Sequence, residues 1–258
     1  ELELSQLQQH WSRATNGQGQ VVNIIGGTGI GKSRLVLELR KRVSQNPKSV
    51  ITEFFCDPVT MDTPLAPITH YIQQEIIGDQ DASDSEKLTI LEGLFVEYNL
   101  SAETYVPLTA GLLGISIDDR YPANSDSPQR QRQLLLELIL AIITSRAMRD
   151  PTLLVVEDLH WADPTTVEML SMLIGLSPAI PIMILFTYRP SYNPAWQPAS
   201  HVFTMNLASV DAAVAESISS SICESLSKEI VRLIAEKTDG VPLFIEEVTR
   251  SLAEKNAE

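Results

Sequence analysis

Residues 26–33 read Gly26-Gly27-Thr28-Gly29-Ile30-Gly31-Lys32-Ser33 and match G-x-x-x-x-G-K-[ST] without a gap. Each residue type has a chemical reason to be there. Glycines let a backbone curl until its N–H groups converge on phosphate oxygens. A helix opening at Gly31-Lys32 aims the positive end of its dipole at the same oxygens. Lys32 can reach the β- and γ-phosphates of a nucleotide, and the Ser33 hydroxyl can ligate Mg²⁺. Arg34 adds a second cation at the helix start.

A second group of residues lies far along the chain. Leu153-Leu154-Val155-Val156 is followed by Glu157-Asp158. A buried strand that ends in two acids puts them at the C-terminal edge of a parallel sheet, where open α/β sheets bind ligands. One carboxylate can hold Mg²⁺ through water and the other can polarise an attacking water. An acidic loop after a strand is the plain alternative, and the phosphate-loop motif in the same chain favours the chemical one. His160 and Trp161 follow at once. The imidazole can bond a catalytic group or simply pack and orient the loop; Trp161 reads as a packing anchor. His10, His70 and His201 lack ligand spacing.

These residues need elements to hold them. Leu2, Leu4, Leu7 and Trp11 have helical spacing, and Asn16 to Gly19 reads as a turn. Short apolar strands are expected at 21–25, 50–55, 153–156, 181–186 and 201–207. A helix from about 32 to 43 follows the glycine loop. Residues 64–149 read as helices at 65–77, 85–99, 102–113 and 128–149, with Leu134, Leu135, Leu138 and Ile142 as a core stripe. Asp163 reads as an N-cap with Pro164 at N1, opening a helix to about Leu176. From 211 the pattern is helical to the end, broken at Asp239-Gly240-Val241-Pro242. Strand–helix alternation with short apolar strands of four to six residues implies a parallel sheet covered on both faces.

The 258 residues carry 19 Lys and Arg against 33 Asp and Glu, a net charge of −14. That balance argues against non-specific nucleic-acid binding and against anionic membranes. With 44% hydrophobic and 20% charged residues the chain is not a disordered one. No apolar run approaches the roughly 18–20 residues that cross a membrane. The two cysteines, Cys56 and Cys223, lack metal spacing, which fits a reducing cytoplasm. The chain does not open with Met and reads as a fragment or a processed chain. Charge is uneven: residues 1–50 hold seven basic and three acidic residues, a net of +4, which leaves −18 on the rest. Lys32 and Arg34 account for part of that excess. Arg40, Lys41, Arg42 and Lys48 suit a solvated helix C-terminus.

Glu157-Asp158-Leu159-His160-Trp161-Ala162-Asp163-Pro164 resembles the acidic motif of the STAND signal-transduction ATPases, a branch of the AAA-related P-loop NTPases. The resemblance spans most of the chain. The stretch Leu2 to Trp11 is similar to the helix after that family's G-R-E motif, which is absent here. Ser127 to Arg132 resembles the run before the long helix of the family. Thr187-Tyr188-Arg189-Pro190 resembles its sensor segment, and Gly240 to Glu247 its G-x-P segment. The resemblance implies a five-stranded parallel sheet in the order 5-1-4-3-2, with a helical insertion at about 64–149 in a core of residues 1–208. Residues 209–258 would be the start of a small helical lid subdomain, truncated in this chain. It further implies that Gly26 to Ser33 hold the phosphates and Mg²⁺, that Glu157 holds Mg²⁺ and that Asp158 activates water. Arg189 would contact the γ-phosphate, and Pro242 would pack on the adenine or ribose. Plain readings exist for both, a solvent-facing loop arginine and a helix N1 proline.

Two functions follow from the resemblance. One is a slow Mg²⁺-dependent ATPase switch in a larger signalling protein, with effector and helical-repeat sensor domains in the same chain and a nucleotide-dependent oligomer. The other is a module that holds ADP or ATP without significant turnover. Arg130 and Arg132 are the candidates for an arginine finger. A motor on nucleic acid is opposed by the charge.

Overall fold

A computed structural model describes residues 2–78, 81–117, 120–122, 124–194, 196–223 and 227–255. Five strands, β1 (Gln20–Ile25), β2 (Val50–Phe55), β3 (Thr152–Glu157), β4 (Ile182–Tyr188) and β5 (Val202–Asn206), form one sheet. Their order is β2-β3-β4-β1-β5 and every adjacent pair is parallel. This is the expected order read from the other edge. β1 therefore lies beside β4, with Ile25 opposite Tyr188, while β3 pairs β4 on its other side.

The apolar runs of the inner strands β3 and β4 are continuous because both faces are covered. Side chains alternate across a strand, so Leu154, Val156, Ile184 and Phe186 face one cluster while Leu153, Val155, Met183 and Leu185 face the other. Helices α1 (Leu2–Thr15) and α2 (Lys32–Val43) close the second face through Leu7, Val36 and Leu39. Helices α6 (Pro128–Arg149) and α7 (Pro164–Leu176) close the first through Leu136, Ile139, Met169 and Leu170.

The insertion between β2 and β3 carries α3 (Ala66–Tyr71), α4 (Asp84–Glu97), α5 (Ala102–Leu113) and α6. Ser83 and Glu86 form a capping box that starts α4: the Glu86 N–H donates to Ser83 Oγ and the Ser83 N–H to the Glu86 carboxylate. Leu91, Phe95 and Val106 make a separate cluster with Leu138 of α6. Helix α6 thus buries two faces, and the expected stripe is only half of its core. The helix expected at 65–77 is interrupted: after Tyr71 the chain runs as a π-helical turn from Ile72 to Ile77. The wider turn lets Ile72 pack against both the sheet cluster and the insertion cluster. A cleft of about 430 Å³ opens between these helices and the first residues of β2 and β3, at the edge of the sheet away from the phosphate loop.

After β5 come α8 (Ala212–Ile222), α9 (Lys228–Lys237) and α10 (Pro242–Lys255). They pack on one another around Ala215, Ile234 and Ile245. Gly240 has φ +67, and a Cβ there would lie 2.4 Å from Val210 O, so glycine is required at this turn. Among the described residues no helix is long and apolar enough to cross a membrane.

Candidate functional site

The loop from Gly26 to Gly31 leaves the end of β1 and enters α2. Its start is pinned to the sheet by Gly26 N–H donating to Tyr188 O at 3.2 Å. Gly31, with φ +101, turns the backbone into the helix. Such a φ is a glycine conformation. Among the described residues the N–H groups of Gly27, Thr28, Gly29, Ile30 and Gly31 donate to no backbone or side-chain acceptor. A row of orphan N–H donors at a helix N-terminus is an anion site. Lys32 spans the loop, its Nζ donating to Gly26 O at 3.0 Å and Gly27 O at 2.9 Å. Partial burial lowers the Lys32 pKa; the Asp158 carboxylate opposes this, Arg189 adds to it and Glu157 opposes it.

Across the sheet edge, Ser33 on α2 donates its hydroxyl to Glu157 Oε2 at 2.6 Å. Glu157 is the last residue of β3. Among the described residues no group of three or more His, Cys, Asp or Glu side chains gathers as a metal centre. A divalent ion here would therefore take one hydroxyl and one carboxylate from the protein. Phosphate and water oxygens would complete its shell, which is how Mg²⁺ is commonly bound. The orphan donors, the lysine and the Ser33–Glu157 pair fit a magnesium-bound nucleoside polyphosphate.

Asp158 follows in the left-handed region, φ +54. Its N–H donates to Thr187 Oγ1 at 3.0 Å, which ties the residue to β4. Its side chain is 52% exposed. Cys56 is buried beside this corner; desolvation, with Asp163 and Asp158 near, pushes its thiol up to about 12. Asp163 is the buried N-cap of α7, accepting from the N–H groups of Thr165 and Thr166 and from the Thr166 hydroxyl. Arg189, just past β4, is exposed, with its guanidinium carbon 5.9 Å from the Trp161 ring centre. Arg132 pairs with Glu168 of α7.

The loop also touches the C-terminal helices. Leu243 N–H donates to Gly29 O at 3.2 Å, and Arg34 pairs with Glu246 at 3.2 Å. A Cβ on Gly29, where φ is +75, would lie 2.9 Å from Leu243 Cβ and 3.2 Å from Val241 Cγ1. Pro242 is the first residue of α10 and sits between these two contact residues. The residues that sequence reasoning passed over are Thr187, Leu243 and Glu246. All three lie within the T-Y-R-P and G-V-P-L-F-I-E-E segments, and Thr187 is a polar residue at the end of an otherwise apolar strand.

A parallel sheet in this order, with a phosphate loop between β1 and α2 and acids at the end of β3, defines a P-loop nucleoside triphosphatase fold. A family model described as the AAA ATPase domain matches residues 1–185, and the chain belongs to that family. An uncharacterized protein of Rhizobium meliloti (strain 1021) is 28% identical over 252 residues, covering 96% of this chain. The chain spans only 24% of that relative's length. Among solved structures, Cdc6p from Pyrobaculum aerophilum is similar with a TM-score of 0.52 at 13% identity. That match covers 100% of this chain and 62% of the other. Drosophila ORC bound to DNA gives 0.52 at 14%, covering 99% of this chain and 56% of the other. A Signal Transduction ATPase with Numerous Domains (STAND) protein with a tetratricopeptide repeat sensor, from Pyrococcus horikoshii, gives 0.48 at 17%, covering 92% and 28%.

Proposed function

We propose that the chain is the nucleotide-operated switch module of a larger signalling protein of the STAND type, binding ATP with Mg²⁺ and hydrolysing it slowly in the cytoplasm. The observation that carries this reading is the contact between the phosphate loop and the helical subdomain, Gly29 O with Leu243 N–H. A ligand that orders the loop also acts on whatever is docked there, which is how a phosphate-dependent switch works. In this reading Lys32 and the loop N–H groups hold the phosphates, and Ser33 and Glu157 hold Mg²⁺, which supplies charge neutralisation when bound. Asp158 orients the attacking water and accepts its proton as the γ-phosphoryl bond to ADP breaks. Arg189 senses the γ-phosphate, and Pro242 carries the nucleotide state into α10. Effector and helical-repeat sensor domains belong to the same full-length chain, and its oligomeric state follows the nucleotide.

Single-turnover phosphate release with ATP and Mg²⁺ tests this reading. Asp158→Ala is expected to bind ATP and release no phosphate above background. If the unaltered protein binds ATP tightly and releases none, the module holds nucleotide without turning it over, and the hydrolytic half of the proposal is lost.

A further inference from the structure

His160 sits in the 3-10 turn Leu159–Trp161 directly after the acids, its side chain only 9% exposed. Neither ring nitrogen has a hydrogen-bond partner among the described residues. A buried polar group left without a partner is destabilising. The turn therefore holds a donor that is not yet used. The nearest carboxylate is Asp158, with Oδ1 3.9 Å from His160 Nδ1, too far for a hydrogen bond. Asp158 in turn accepts no hydrogen bond on its carboxylate among the described residues, although its backbone is fixed by the bond to Thr187. The imidazole itself is anchored by its tilted contact with Trp161, ring centres 5.0 Å apart. Burial lowers the His160 pKa, against the pull of Asp158, and Arg189 and Lys32 lower it further. The ring is thus a neutral donor near pH 7.

We propose that His160 is the positioning residue for Asp158: in the nucleotide-bound protein the imidazole Nδ1–H donates to the Asp158 carboxylate and fixes its direction toward the attacking water. Backbone and side chain of Asp158 are then held from two sides, by Thr187 of β4 and by His160. No proton leaves the imidazole; the water's proton goes to Asp158, and His160 supplies orientation alone. The inference rests on the water-orienting role given to Asp158 above.

The test is single-turnover phosphate release in two His160 variants and in Asp158→Asn. His160→Phe keeps a ring against Trp161 and removes the donor. It is expected to slow release roughly 10–100-fold, the usual range for a lost orienting partner, with ATP affinity unchanged. His160→Asn keeps an N–H near the Nδ1 position and is expected to recover most of the rate. The double variant Asp158→Asn/His160→Phe should be no slower than Asp158→Asn alone. Normal release by His160→Phe with an inactive Asp158→Asn overturns the positioning role and spares the reading beneath it. Normal release by Asp158→Asn overturns both. A readout without turnover keeps the proposal decidable if a variant fails to fold or hydrolysis is absent. The imidazole N–H proton of His160 in the ATP–Mg²⁺ complex should be protected from exchange and visible by NMR, and lost in Asp158→Ala, which removes the acceptor. An unprotected N–H in the complex contradicts it.

Discussion

Ser33 Oγ and Glu157 Oε2 lie 2.6 Å apart although 124 residues separate them in the chain. The sheet order makes this meeting unavoidable. β1 delivers the loop and α2, β4 lies between, and β3 ends level with them. A hydroxyl and a carboxylate held together at the mouth of an N–H cradle would offer a hard cation two protein oxygens. Ser33→Ala should raise the Mg²⁺ concentration needed for ATP binding about tenfold, in line with loss of one metal partner. Nucleotide binding in EDTA should change little. Equal Mg²⁺ dependence in variant and parent would remove Ser33 from the metal.

Thr187 holds Asp158 in its left-handed conformation through the 3.0 Å bond from Asp158 N–H. Thr187→Val keeps the shape and removes the acceptor. Leaving that N–H without a partner should cost about 1–3 kcal/mol of stability. Phosphate release should slow while ATP affinity holds. Chemical denaturation and single-turnover release check the two effects separately.

The glycines at 29 and 240 both sit at a positive φ where a Cβ would clash, one against a side chain and the other against backbone. Gly240→Ala meets Val210 O at 2.4 Å and a positive φ, so it should destabilise the C-terminal helices by about 1–3 kcal/mol. Gly29→Ala meets the Leu243 side chain at 2.9 Å, together with its own positive φ. Removing that Cβ in Gly29→Ala/Leu243→Gly should recover part of the ATP affinity that Gly29→Ala loses, because the nearest blocking atom, Leu243 Cβ at 2.9 Å, leaves with the side chain. A double variant no better than Gly29→Ala would mean that φ alone decides the cost.

His160 also gives stability a defined pH dependence. Its folded pKa is lowered from 6.5, chiefly by burial. Between the folded and unfolded values the unfolded chain binds more protons, so stability rises with pH through that window. The contribution is fully present above about 6.5 and is lost as pH falls through the lowered folded value. His160→Phe should flatten the fall in Tm between about pH 7 and pH 5, a range set by the ordinary histidine pKa. An unchanged slope would show that His160 does not titrate differently on unfolding.

The strand order came with the family resemblance alone, whereas the covered parallel sheet was readable from the sequence because mostly apolar runs alternate with helical ones, a local pattern. The phosphate loop was legible for the same reason: its eight residues are contiguous, so spacing alone exposes them. The π-helical turn at Ile72–Ile77 was not, since local periodicity is the same until a second packing surface rotates the side chains. Nor was the second buried face of α6, which exists only because the insertion folds back on it. The contact of Leu243 with Gly29 depends on how the C-terminal helices dock, and nothing in either segment alone encodes it. Glu157 and Asp158 are neighbours of the same charge, and only the fold distinguishes them. One faces Ser33, the other turns into the left-handed region beside His160.

The proposed switch requires the Gly26–Ser33 loop to bind a nucleotide. Equilibrium titration of ATP with Mg²⁺ onto the purified protein and onto Lys32→Ala tests it most directly. The expected result is saturable one-site binding by the parent, and a loss of at least about tenfold in affinity when a charge-assisted phosphate contact is removed. Absent binding by the parent, or equal affinity in Lys32→Ala, would contradict it.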